Sequence, residues 1–192
     1  DTKAKGIYST AMGVNTIASG DSSSAFGVNC DASGRSSIAI GYVSTASGSL
    51  STAIGFGAIA SGPYSLAMGQ ISSAAGYNST AMGYLTKAFG YHSTAFGYST
   101  KALGSSSTSL GSITVATGDY STALGRFIVS RSNASLSIGR YNDSIITSDK
   151  ENWVDTDPVF IIGNGTADNA RKNALTILKN AKTGINLSDP VA

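Results

Sequence analysis

The sequence predicts an all-β fold: a narrow solenoid, or β-roll, of fourteen-residue coils over residues 1–139, followed by a short β-rich fibre tail over 140–192. Three observations carry this. Glycine recurs every seven residues, small residues stand two and four positions before the glycines, and a large apolar residue stands immediately before every second glycine.

Glycine occupies positions 6, 13, 20, 27, 34, 41, 48, 55, 62, 69, 76, 83, 90, 97, 104, 111, 118 and 125, after which Ser132 takes the next slot and Gly139 resumes the register. Repeats of fixed period point to arrays in which each unit buries its face on the next. Two residues before the glycines the chain carries Ala, from Ala4 through Ala123, with Ser109 and Ser137 as small exceptions; four before, it is mostly Ser or Thr. A coiled coil needs large apolar residues at two heptad positions, and glycine in every heptad costs a helix about 1 kcal/mol each. Collagen needs glycine at every third residue.

Side chains in a strand alternate between faces, so Ser, Ala and Gly of one unit share a side. Small residues at every inward position imply a very thin interior. The glycine and the two variable residues after it read as a tight turn in which positive φ is available. Each seven-residue unit is therefore expected to be a strand and a turn.

The opposite face doubles the period. Met12, Phe26, Ile40, Ile54, Met68, Met82, Phe96, Leu110, Leu124 and Ile138 precede alternate glycines at spacings of fourteen, whereas the intervening set is Lys5, Ser19, Ser33, Ser47, Ser61, Ala75, Phe89, Leu103, Thr117 and Arg131. One coil is then two strands, apolar on one outer face and mostly wet on the other. A column of ten large apolar side chains is too long to leave in water, so it is expected to meet another chain. Phe89 and Leu103 depart from the wet pattern, as tolerated surface groups or as a local contact site.

Composition narrows the function. Only 12% of residues are charged, and 13 basic against 11 acidic side chains form no cluster of the kind that binds a phosphate backbone, which argues against nucleic acid. Cys30 is single, so no intrachain disulfide forms, and it is expected to pack as a small apolar group. No apolar run is long enough to cross a bilayer and residues 1–5 do not resemble a secretory signal, so no direct membrane insertion is expected of this segment. The chain opens inside its repeat and reads as a fragment.

Tyr77-Asn78-Ser79-Thr80-Ala81-Met82-Gly83 and Ser65-Leu66-Ala67-Met68-Gly69 resemble the YadA-like head repeats of trimeric autotransporter adhesins, and the likeness extends over residues 1–139. The resemblance implies a left-handed parallel β-roll, a homotrimer packed through the apolar column, and an extracellular place on a bacterial cell surface or a phage-like particle. It implies a non-enzymatic segment that binds a host or environmental surface protein or glycan. An ice-binding solenoid, suggested by Thr80, Thr94, Thr108 and Thr122, and a polysaccharide-cleaving solenoid are the alternatives.

In the tail, residues 157–166 and 173–186 resemble fibre segments that precede a self-cleaving, endosialidase-type chaperone domain, which this chain does not contain. Val159–Ile162 reads as a buried strand, and 174–184 as a strand and turn, with a short helix over 170–181 as the other option. The acidic group Asp149, Glu151, Asp155 and Asp157 around Trp153 reads as a solvated linker or as a calcium or sugar site, although it lacks the calcium-loop pattern.

No catalytic, cofactor-binding or metal-ligating residue is assigned. His92 lies at a variable turn position among serines that all belong to the repeat, and nothing marks one serine as a nucleophile. No phosphate-binding glycine motif is present. Tyr77, Tyr84, Tyr91 and Tyr98 each follow a repeat glycine and are the candidate ligand contacts, unless they simply shield the backbone.

Overall fold

The computed structural model describes residues 1–187 and divides into two compact units, Asp1–His92 and Ser93–Ala192. Residues 188–192, the end of the expected tail, lie outside the described residues. Every regular element among the described residues is a strand.

In the first unit, five-residue strands such as Ile38–Tyr42, Thr52–Phe56, Leu66–Gln70 and Thr80–Tyr84 alternate with two-residue strands such as Thr45–Ala46, Ile59–Ala60 and Ser73–Ala74. Like pairs with like, in parallel, shifted by one coil: Leu66 opposes Thr80, Ala67 opposes Ala81, Met68 opposes Met82, and Ser73 opposes Ile59. The fourteen-residue coil is thus the structural unit, although its two halves are unequal in a way the seven-residue pattern conceals.

The interior is as thin as expected. Ala25, Ala39, Ala53, Ala67 and Ala81 from the long strands and Ala18, Ala32, Ala46, Ala60 and Ala74 from the short ones are completely buried, with Ser23, Ser37, Ser51 and Ser79 beside them. Thr16, Cys30, Ser44, Ala58, Ser72 and Thr86 fill the remaining inward slot. Cys30 is thus an interior residue, and its Sγ lies 3.2 Å from the Gly41 carbonyl oxygen.

Two expectations about glycine need correction. Glycines of the short half, such as Gly34, Gly48 and Gly62, are buried with Ala and Ser, but those of the long half are exposed, as at Gly13, Gly69 and Gly83, or half-buried, as at Gly27, Gly41 and Gly55. The long-half glycines of the first unit adopt φ of 111° at Gly69 to 135° at Gly55, which breaks the alternation of the strand. Nor does glycine take the left-handed turn position. That falls two residues later, on Val43, Leu50, Tyr64, Ile71, Asn78, Leu85 and His92, with φ between 53° and 59°. Only Gly57, at φ 63°, supplies a glycine there. The residue's N–H is satisfied by the turn one coil earlier, as in Ile71 N to Phe56 O at 2.8 Å, which offsets a left-handed cost of about 1–2 kcal/mol. Glycine recurs for a different reason. A Cβ on Gly34 or Gly41 would overlap the carbonyl oxygen of Gly48 or Gly55 in the next coil.

Ser79 Oγ donates to the Gly76 carbonyl at 2.7 Å, yet the buried hydroxyl of Ser72 has no such acceptor. Ala58 occupies the same slot one coil earlier and is equally buried. Ser72→Ala is therefore expected to stabilise the unit by up to about 1 kcal/mol, because an unpartnered buried hydroxyl is removed. A thermal melt checks this, and a clear loss of stability would show that the hydroxyl is bonded.

The second unit repeats the pattern with long strands Thr94–Tyr98, Thr108–Ser112, Thr122–Arg126 and Leu136–Arg140 and short strands Lys101–Ala102, Val115–Ala116 and Val129–Ser130. Ile128, the bulkiest interior residue, packs with Ala116 and Ala123. The short-strand sheet then ends on a side chain. Asn142 is fully buried, its Oδ1 accepts from Val129 N at 2.8 Å, and its Nδ2 donates to Val129 O at 2.8 Å. Its amide does what the next short strand would do. Ser132 can replace glycine at this end because no further short strand follows whose backbone its Cβ would meet; it is buried, and its hydroxyl donates to Pro158 O.

The long-strand sheet continues. After residues 141–157, strand Pro158–Asn164 pairs in parallel with Leu136–Arg140, with Ile162 opposite Ile138 and Gly163 opposite Gly139. Strands Asn173–Leu178 and Thr183–Ile185 then add antiparallel, because a parallel return needs a crossover that the short half no longer provides. The strand-and-turn reading of 174–184 is realised, and the helical option over 170–181 is not. Arg171 secures this tail by donating to Phe127 O at 2.9 Å and Asn142 O at 3.1 Å.

Candidate functional site

The long strands place their largest side chains outside. In the first unit Met12, Phe26, Ile40, Ile54, Met68 and Met82 oppose one another coil by coil. Met12 is 61% exposed and the other five are half-buried. In the second unit Phe96, Leu110, Leu124 and Ile138 are aligned in the same way; Phe96 and Leu124 are exposed, Leu110 and Ile138 half-buried. Stacking on neighbours covers their flanks, and their outer surfaces stay open.

The structure extends this face beyond the column read from the sequence. Ile162 continues the second unit's column; its Ile-Gly pair was the available signal, but the interposed residues 141–157 break the spacing. A further row, Val14, Val28, Tyr42, Phe56, Gln70 and Tyr84, ends the long strands of the first unit. Tyr42 and Phe56 stack there with centroids 5.2 Å apart and planes 7° apart. Tyr84 and Tyr98, expected in turns, are instead the last residues of Thr80–Tyr84 and Thr94–Tyr98.

Tyr77 and Tyr91 do lie in turns. Their rings are 6.3 Å apart at 27°. Two residues not singled out as contacts join them: Tyr64, edge-on to Tyr77 at 5.3 Å, and His92, edge-on to Tyr77 at 5.7 Å. His92 is a solvent-exposed turn residue as expected, and its Nδ1 lies 3.2 Å from Asn78 Nδ2. Phe89, on the short-strand face, is exposed with the Lys87 ammonium 5.9 Å from its ring centre.

The acidic loop is tied up internally. Asp149 Oδ1 accepts from the backbone of Glu151 and Asn152, each at 2.9 Å, and these N–H groups, Asn152 foremost, hold its carboxyl below the usual carboxylate range. Asp157 accepts from Asp149 N at 2.8 Å, and Asp155 from Trp153 Nε1 at 3.0 Å. The Lys179 ammonium lies 4.7 Å from the Trp153 ring centre; burial lowers its pKa, opposed by Asp157, Asp149 and Asp155. Among the described residues no group of His, Cys, Asp and Glu is arranged to hold a metal ion.

Comparison with protein families matches the YadA head domain repeat, in its two-copy form, to residues 4–29, 32–58, 46–72, 60–86, 74–100 and 102–127. The chain belongs to this family. Four successive matches begin fourteen residues apart, at 32, 46, 60 and 74, so the YadA head repeat and the coil are the same unit. A search of curated proteins returns no match. The YadA head matches stop at residue 127, before the tail.

Proposed function

We propose that this chain is a non-enzymatic segment of an extracellular homotrimeric fibre that binds a surface protein or glycan, as in a bacterial adhesin head. The observation that carries the reading is the apolar outer face of the long strands, half-buried in a single chain and aligned by a strict one-coil register. Burying each of these side chains against partner copies is worth about 1.5–3 kcal/mol, more than an interior of alanine and serine supplies. Membership of the YadA head family supports three chains around one axis. Parallel copies bring each coil level with its counterparts. The antiparallel tail then acts as a connector at one end of the roll.

Light scattering on the purified protein tests this. A mass of three 19.4 kDa chains is expected, and a stable folded monomer at micromolar concentration would sink the proposal.

A further inference from the structure

Within the reading of this chain as an adhesive fibre, and resting on it, we propose that Tyr64, Tyr77, Tyr91 and His92, with Asn78, form a binding strip for a neutral oligosaccharide of equatorially linked pyranose rings. Tyr64, Tyr77 and Tyr91 are 50%, 41% and 64% exposed. They come from three consecutive coils, following Gly62, Gly76 and Gly90 in the same turn of the roll.

Each turn is hydrogen-bonded to the one before it, Asn78 N to Pro63 O at 2.9 Å and His92 N to Tyr77 O at 2.8 Å. The turns are therefore stacked by the backbone ladder, at about 4.8 Å per coil, and the ring centres of Tyr64, Tyr77 and Tyr91 follow one another at 5.3 Å and 6.3 Å, comparable with the length of one pyranose residue in a chain. Aromatic faces pack on the C–H surface that an all-equatorial sugar presents on both sides. Tyrosine adds a hydroxyl at the wet edge and loses little side-chain freedom on binding.

The polar groups suit a sugar rather than an ion. Asn78 Nδ2 and His92 Nδ1 pair with each other at 3.2 Å, which leaves His92 Nε2 and Asn78 Oδ1, on two exposed residues, to meet the hydroxyls of a ligand. Pro63, Tyr64, Tyr77, Asn78, Tyr91 and His92 include no acidic or basic side chain apart from the imidazole. A neutral ligand is thus neither attracted nor repelled by charge. The equivalent turns of the second unit carry Ser105-Ser106, Asp119-Tyr120 and Asn133-Ala134, so the strip is local. Tyr84 and Tyr98 end long strands on the apolar face and are not part of it.

The test is calorimetric titration of the whole protein with cellohexaose and chitohexaose, alongside light scattering on the same samples. Binding of at least one probe is expected. Tyr77→Ala with Tyr91→Ala should weaken it on the order of tenfold or more, with unchanged mass and melting temperature, whereas Tyr77→Phe with Tyr91→Phe should retain most of it and Tyr120→Ala, an exposed turn tyrosine of the second unit, all of it. A correctly assembled protein that binds neither probe overturns the sugar assignment while leaving the fibre reading intact; a monomer overturns the fibre reading itself. Binding that survives loss of both tyrosines, or a strip that captures decaproline peptide instead of sugar, also overturns the proposal.

Discussion

Gly41→Ala is expected to unfold the first unit at ordinary temperatures. Gly41 sits at φ 120°, a region that L side chains rarely adopt. Its added Cβ would also overlap the Gly55 carbonyl oxygen. Neither problem can be relieved locally, because separating the two coils at this point stretches the ladder that pairs Ile38–Tyr42 with Thr52–Phe56. The combined cost should exceed about 4 kcal/mol, a large part of the stability of a typical domain. Gly48→Ala isolates the steric contribution, since its Cβ meets the Gly62 oxygen without the unusual φ. Gly57→Asn is the control. Its φ is 63° and the nearest atom to a Cβ there is Ile71 Cγ1 at 3.8 Å, and Asn29 takes the equivalent turn at φ 53°. Circular-dichroism melts should therefore show severe loss for Gly41→Ala and Gly48→Ala and little change for Gly57→Asn. A Gly41→Ala protein that melts like the parent would mean that the coils are not packed backbone to backbone.

These variants also mark what the sequence could and could not reveal. Periodicity alone gives the coil length, the inward Ala and Ser and the outward Met, Phe, Ile and Leu, because each follows from counting residues along a regular strand. The role of glycine is hidden because the same letter serves two geometries: buried with ordinary φ at Gly48, and half-buried with φ 135° at Gly55. Turn chemistry misled as well. Val43 and Ile71 adopt left-handed φ of 55° and 54° despite their branched side chains, held there by hydrogen bonds that their N–H groups donate to Val28 O and Phe56 O of the preceding coil, which no local pattern announces. The aromatic strip was only half legible. Tyr77 and Tyr91 share a spacing of fourteen, but Tyr64 stands thirteen residues before Tyr77 and belongs to a different column. The end of the short sheet rests on the Asn142 side chain imitating a strand, which looks like any other polar residue in a one-dimensional reading.

Ile54→Asp together with Met68→Asp is expected to dissociate the protein and unfold it in the same step. The two residues face each other across adjacent long strands, and in a single chain both are half-buried with an open outer surface. In the proposed homotrimer that surface meets its own copies around the three-fold axis. Six carboxylates would then be gathered in an apolar contact, each costing several kcal/mol to desolvate without a partner and repelling the others. The interior offers little compensation, since Ala53, Ala67, Ser51 and Ser65 contribute only small side chains to burial. Melting should be concentration-dependent in the parent protein, as linkage requires of a folded state that exists only when assembled. Burial raises a carboxyl pKa above its ordinary value of about 3.9, so protonation favours the assembled form and some recovery of mass is expected as pH falls toward about 4. Ser61→Asp provides the control: it changes the charge on an exposed residue of the opposite outer face and should leave mass and melting unaltered. If the double Asp variant kept the parent's mass and melting temperature at neutral pH, the long-strand face would be solvent-exposed in the native protein, and the fibre would have to be held together somewhere else.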